Sequence, residues 1–186
     1  ALELGGKNAT IILDDADLSI AAQGAARAAF TNSGQVCLCG SRILVADAIY
    51  DVFVDMLVAE VSSMTVGNPQ LADTDIGSVI SQEHMKKILS YIDLAGTEHG
   101  RILTGGKRLS LPKPNADGAF IAPTLIDRLP IDSRCATEEI FGPVATIHRF
   151  NSDEEAIEMA NLTQYGLAGS VWTSNVEPVS YTHLTL

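Results

Sequence analysis

The chain has 186 residues, 46% of them hydrophobic, and sets 12 Lys and Arg against 23 Asp and Glu for a formal net charge of −11. This size and apolar share suit one domain with a sizeable core and exclude a disordered chain. The charge argues against nucleic acid and anionic membrane surfaces as partners. No run of about 18 apolar residues suggests a membrane span, and no basic segment leading into an apolar stretch marks a signal peptide. Three cysteines are too few for a disulfide framework and fit a reducing compartment, so a cytoplasmic location is expected.

Short apolar runs alternate with amphipathic stretches, a pattern that predicts an α/β fold with a mostly parallel sheet and flanking helices. Residues 9–13 predict the first strand. Asp17 is placed to cap a helix with Ala22, Ala25, Ala26, Ala29 and Phe30 at helical spacing, ending near Asn32-Ser33-Gly34. Cys37 then falls on a loop, and residues 43–46 predict a second strand. From Ile49, the series Val52, Phe53, Met56, Leu57, Val61 and Met64 predicts a helix stopped by Gly67-Asn68-Pro69. A further helix after Ser81 places Met85, Ile88, Leu89, Ile92 and Ala95 on one side, followed by a short strand over 101–103 and a turn at Gly105-Gly106. Residues 109–118, with Pro112, Pro114, Asn115 and Gly118, have the composition of an exposed loop. Residues 144–150 predict a strand, Ser152-Asp153-Glu154-Glu155 a capping box opening a helix with Ile157 and Ala160, and residues 167–172 the last strand.

Two side chains suit covalent chemistry at a carbonyl: the thiol of Cys37, in Gly34-Gln35-Val36-Cys37, and the carboxylate of Glu3, in Glu3-Leu4-Gly5-Gly6-Lys7. They flank a predicted strand and helix, so the fold could return them to one cleft, where a thiol attacks and a carboxylate later activates water. Gly34 lets the backbone turn tightly and leaves the Cys37 N–H free to face a developing oxyanion. Leu2 and Leu4 beside Glu3 predict partial burial and a raised pKa. Taken singly, Cys37 reads first as a small buried hydrophobe, and Glu3 equally as a solvated strand-end acid. Gly5-Gly6 permits close backbone approach but also describes a simple turn, and Lys7 reads as structural or surface. Cys39 makes a C-x-C pair with Cys37, while Cys135 stands alone and His84, His99, His148 and His183 are scattered without zinc-site spacing, so no metal site is expected.

Together with Asn32-Ser33-Gly34-Gln35-Val36-Cys37 and Glu138-Glu139-Ile140-Phe141-Gly142-Pro143-Val144, in that order and spacing, the Glu3 segment makes the chain resemble the aldehyde dehydrogenase superfamily from residue 1 to about 179. The resemblance implies Cys37 as nucleophile, passing through a thiohemiacetal and a thioester, and Glu3 as the base for deacylation. It implies NAD or NADP as cofactor, with Glu139 receiving the ribose hydroxyls next to the nicotinamide, Phe141 packing near that ring, and Leu4 and Gly5 at the same site. Without the motif, Glu139 reads as a surface acid beside Glu138 and Phe141 as a core ring. The resemblance further implies a small-molecule aldehyde substrate, a homo-oligomeric full-length form, and a partial catalytic domain over residues 1–179 that lacks most of the nucleotide-binding domain. Residues 180–186 lack the Ala- and Arg-rich helix with which the family continues and read as a cloning or sequencing scar. Cys37-Leu38-Cys39, residues 109–112, and Tyr165-Gly166-Leu167-Ala168 through Trp172 look like the branch acting on 2-hydroxymuconic or 2-aminomuconic semialdehydes. The carboxylate of such a substrate would want an arginine, and the sequence places neither Arg27 nor Arg42 in the pocket. Two other readings are a catalytically silent fragment that needs missing segments or a partner, and a cofactor-independent cysteine hydrolase, which lacks a convincing histidine.

Overall fold

A computed structural model describes residues 3–175. Its main sheet has six strands in the order β3-β6-β7-β2-β1-β8, where β1 is Ala9–Ile12, β2 Arg42–Ala46, β3 Arg101–Thr104, β6 Thr124–Asp127, β7 Val144–Phe150 and β8 Gly169–Trp172. Every pairing is parallel except β3 with β6, so the expected mostly parallel α/β sheet is present. A two-stranded antiparallel ribbon joins β4 (Arg108–Leu109) to β5 (Phe120–Ile121).

Alternate strand residues point to opposite faces, and the core divides accordingly. Ile43 and Val45 of β2 and Ile147 of β7 pack with the alanine face of α1 (Leu18–Phe30) and with Phe53 and Leu57 of α2 (Tyr50–Ser63). Leu44 and Phe150 face the other way, against Met159 of α5 (Asp153–Ala160). A third cluster joins Ile88 and Ile92 of α3 (Gln82–Thr97) to Ile126, Val144 and Cys135, the last on the short α4 (Arg134–Thr137).

The capping residues act as their spacing suggests. The Asp17 carboxylate accepts from the N–H groups of Ser19 and Ile20, and Ser152 Oγ accepts from Glu155 N–H. The Glu155 carboxylate returns to Asn151 N–H rather than to Ser152, one residue earlier than a capping box requires.

Two further expectations need correction. The second helix ends at Ser63, before Gly67-Asn68-Pro69, because Thr65 N–H is taken by the Asp75 carboxylate and Val66 pairs with Ile76. The loop expected over 109–118 starts inside the β4–β5 ribbon. The strands β5 and β6 and the helix α4 are elements of two to four residues, too short to show a period. Residues 180–186 lie outside the described residues, and among those described no helix is long and apolar enough to cross a membrane.

The β2 residue Arg42 fixes the layers in register. Only 1% exposed, it donates from Nε to Lys7 O at 3.0 Å and from its two terminal nitrogens to Met159 O at 2.8 Å and Ala160 O at 2.6 Å. The last two are carbonyls at the negative end of α5, where a cation is favoured. Arg42→Met would keep the bulk but take the side-chain donor from three buried carbonyls, of which Met159 O keeps a bond from Leu162 N–H. It should lower the unfolding free energy by on the order of 3 kcal/mol, read as a lower urea midpoint at unchanged slope.

Candidate active site

Strands β7, β2, β1 and β8 are adjacent and parallel, so the loops entering their amino ends lie side by side. These loops carry Glu139 to Gly142, Cys37, Glu3 to Lys7, and Tyr165 to Ala168. The three sequence motifs therefore meet, although they are far apart in the chain.

The turn before Cys37 is built from left-handed backbone. Asn32, Ser33 and Gly34 have φ of 52°, 58° and 68°. Such a run is sparsely populated and has to be held by its surroundings. Ser33 Oγ donates to Gly77 O at 3.0 Å, and Asn32 Nδ2 donates to Gln35 O at 3.2 Å. A Cβ on Gly34 would lie 2.1 Å from Gly142 O, so glycine is required for contact with the Glu139 loop as well as for its φ. Cys37 follows, half-buried with a free thiol, and its N–H makes no hydrogen bond among the described residues. That geometry leaves the N–H able to meet an oxyanion.

Gly6 joins the other two motifs. Its N–H donates to Glu139 Oε1 at 2.8 Å, and a Cβ on it would come within 2.1 Å of Cys37 O. Two neighbouring acids are thereby assigned different partners. Glu138 accepts from Arg134 at 2.7 Å and from Tyr91 Oη at 2.5 Å, and these bonds hold its carboxyl down at about 2. Glu139 instead turns toward the glycines, with Oε2 beside exposed Gly5, where a Cβ would sit 3.1 Å from Oε2 and 3.0 Å from the Tyr165 ring. A carboxylate with one oxygen facing bare backbone is suited to a vicinal diol, such as that of a ribose.

Phe141 is 36% exposed with φ 58°, its ring edge-on to His84 at 6.3 Å and its carbonyl 2.6 Å from His84 Nε2. It is thus a surface ring at the site rather than a core ring. Leu4 is 55% exposed. Glu3 is exposed as well, which corrects the expectation of a carboxylate half-buried against Leu2 and Leu4; Leu2 lies outside the described residues.

Lys7, read as structural or surface, is the former: it is 1% exposed, and its Nζ has no hydrogen-bond partner among the described residues. Burial, reinforced by the Arg42 charge, brings its pKa down to about 7 from 10.5. The unfolded chain would then hold a proton that the folded chain has lost over roughly pH 7 to 10.5, so this group makes stability rise with pH across that window. Lys7→Met should flatten the slope and raise the urea midpoint at pH 7, as denaturation at several pH values would show.

The space between Gly6, Gly34, Glu139 and Gly142 is a seam of about 10 Å³. A far larger hollow of about 550 Å³ lies elsewhere, lined by Arg101, Arg128, Arg149 and His148, but it contains no cysteine or serine. Its arginines are largely committed, Arg101 to Asp127 and Arg149 to Asp47 and Asp51. Among the described residues no three of His, Cys, Asp and Glu gather as metal ligands.

Sequence reasoning missed Asn8, whose side chain reaches the Cys37 turn, and Tyr165, which closes over Gly5. The only signal for Asn8 was its place next to the Glu3 to Lys7 motif.

The family model described as the aldehyde dehydrogenase family matches residues 1–183. The chain is 46% identical over 177 residues to the betaine aldehyde dehydrogenase of Bacillus subtilis, covering 95% of this chain and 36% of that one. It is 44% identical over 178 residues to the human 2-aminomuconic semialdehyde dehydrogenase, covering 95% and 37%. The crystal structure of betaine aldehyde dehydrogenase from Staphylococcus aureus in complex with NAD+ superposes with a TM-score of 0.94 at 44% identity, over 98% of this chain and 36% of that one. The chain thus spans little more than a third of the length of these relatives.

Proposed function

This chain belongs to the aldehyde dehydrogenase family, and from that premise we propose that residues 1–179 are the central catalytic part of an NAD(P)-dependent enzyme that oxidises an aldehyde to a carboxylate. The observation that carries this reading is the hydrogen bond from Gly6 N–H to Glu139, on a backbone that also touches the Cys37 carbonyl. It joins the nucleophile turn, the Glu3 segment and the Glu139 carboxylate in one place.

Cys37, as thiolate, adds to the aldehyde carbon to give a hemithioacetal, and its own N–H is free to receive the developing oxyanion. NAD+, when bound, supplies the two-electron acceptor for the hydride that leaves this carbon, after which a thioester remains on Cys37. Glu3 removes a proton from water as it attacks the thioester, and the thiolate departs with release of the carboxylic acid. The exposure of Glu3 leaves it open to water. Glu139, through Oε2, and the side-chain-free surface of Gly5 would hold the ribose next to the nicotinamide, with Phe141 and Leu4 at the margin of the same site.

The finer reading is a muconic semialdehyde as substrate, on the Cys37-Leu38-Cys39 run and the 44% identity to a 2-aminomuconic semialdehyde dehydrogenase. Betaine aldehyde is the competing substrate, on the 46% identity to a betaine aldehyde dehydrogenase. Arg42 is committed to three carbonyls and is unavailable to a substrate carboxylate, whereas Arg27 is exposed on α1. A cysteine hydrolase is disfavoured, since His84 bonds Phe141 O and His148 is buried against Thr146.

In the full-length enzyme, assayed for NADH formation against both aldehyde classes, Cys37→Ala should abolish turnover; a rate unchanged from the parent would refute the assignment. Glu3→Gln should leave the first NADH-forming turnover and slow the steady state by about 100-fold or more, with acylated Cys37 accumulating in intact-protein mass spectra. A Glu3→Gln enzyme with unchanged steady-state rate and no acylated form would remove Glu3 from the mechanism.

A further inference from the structure

We propose that Asn8 is the positioning residue of the nucleophile turn, a role that rests on the dehydrogenase reading of Cys37. Asn8 sits just before β1, is 4% exposed, and uses both amide hydrogens and the amide oxygen. Nδ2 donates to Cys37 O at 2.7 Å and to Cys39 O at 3.0 Å, while Oδ1 accepts from Ala168 N–H at 3.0 Å. One planar amide therefore clasps the carbonyls on either side of Leu38 and ties them to the loop that enters β8.

The geometry is selective. The two carbonyls are separated by a single residue, and the turn between them is closed by Cys39 N–H donating to Val36 O at 2.9 Å. Only a group with two donors on one nitrogen and an acceptor on the other side meets all three partners, which is the inventory of an Asn or Gln amide and of no hydroxyl or carboxylate. Gly6 completes the arrangement, since a Cβ there would lie 2.1 Å from Cys37 O and 2.9 Å from Asn8 Nδ2. The glycine leaves room for the amide to reach Cys37, and Gly6 N–H holds Glu139. The position of the thiol is thus set by the same backbone that orients the carboxylate, with Asn8 as the link. Cys39 is pulled inward by the same clasp, is 7% exposed, and its Sγ lies 3.9 Å from Thr31 O.

The test uses the full-length enzyme with Asn8→Ala and Asn8→Asp, and Leu57→Ala as a core variant away from the turn. Asn8→Ala should lower kcat by about 100-fold, the scale expected when a nucleophile is displaced by about 1 Å, with KM for NAD+ within about twofold of the parent. Iodoacetamide labelling mapped by peptide mass spectrometry should find Cys39 protected in the parent and in Leu57→Ala but modified in Asn8→Ala. In Asn8→Asp the protonated acid retains one donor for the two carbonyls and the carboxylate has none, so its kcat relative to the parent should fall as pH rises. The proposal is overturned if Asn8→Ala keeps kcat within about twofold, or if Leu57→Ala, at matched thermal stability, loses as much kcat and exposes Cys39 equally. Failure of the dehydrogenase reading itself would show separately, as turnover retained by Cys37→Ala with the Cys39 protection pattern unaffected.

Discussion

The close approach of the backbone at Gly6 is the constraint on which the candidate site depends. With 2.1 Å between a would-be Cβ and Cys37 O, no other residue fits without moving the nucleophile turn. The same peptide donates its N–H to Glu139, so one residue without a side chain sets the spacing of a thiol and a carboxylate that are about a hundred positions apart in the chain. The Gly34 contact with Gly142 O repeats the arrangement one layer over, again between the Cys37 turn and the Glu139 loop. Backbone against backbone is rigid because neither side has a rotamer to change, which is the kind of support a reacting geometry needs.

Beneath this contact the chain buries two cations, and they are handled differently. Arg42 is satisfied by three carbonyls, so its desolvation is offset and it acts as a clamp between β2, the Lys7 segment and the end of α5. Lys7 has no partner for Nζ among the described residues, and its lowered pKa is the alternative response of a buried amine, loss of the charge. A lysine that sheds its charge above about pH 7 keeps apolar volume next to the Gly5-Gly6 backbone. Its stem still fills the space whatever its protonation.

What was legible in the sequence follows from the range of the interactions concerned. The helix α1 was readable because Asp17 caps within three residues and its alanines recur within one turn, and β7 because seven residues in sequence carry their own pattern. Cys37, Glu3 and Glu139 were singled out through motif resemblance, and the structure brings their segments together. The differing environments of Glu138 and Glu139 were invisible, since adjacent acids are told apart only by Tyr91 and Arg134 on one side and Gly6 on the other. The exposure of Glu3 was misread, and the burial of Lys7 left undecided, for the same reason. Each depends on strands and loops distant in sequence, and the flanking leucines that suggested a buried Glu3 include one, Leu4, that is itself exposed.

The location of the site runs against the usual rule for open parallel sheets, where ligands gather at the carboxyl ends of the strands. Here Glu3, Cys37, Glu139 and Tyr165 all precede the strands they lead into, at the amino ends of β1, β2, β7 and β8. The electrostatics change with the end. A helix preceding a strand presents its carboxyl terminus there, and α1 ends at Phe30 shortly before Cys37, so its dipole offers negative rather than positive potential to a developing anion. On the proposed reading of Cys37, an oxyanion at this end would be met by individual N–H groups left out of helix and sheet. With α1 already ended at Phe30, the left-handed run from Asn32 to Gly34 turns the chain off any helical path, and the Cys37 N–H has no acceptor among the described residues. The strained turn thus supplies a donor that the helix could not, and the Asn8 and Gly6 contacts on its far side hold it against relaxing.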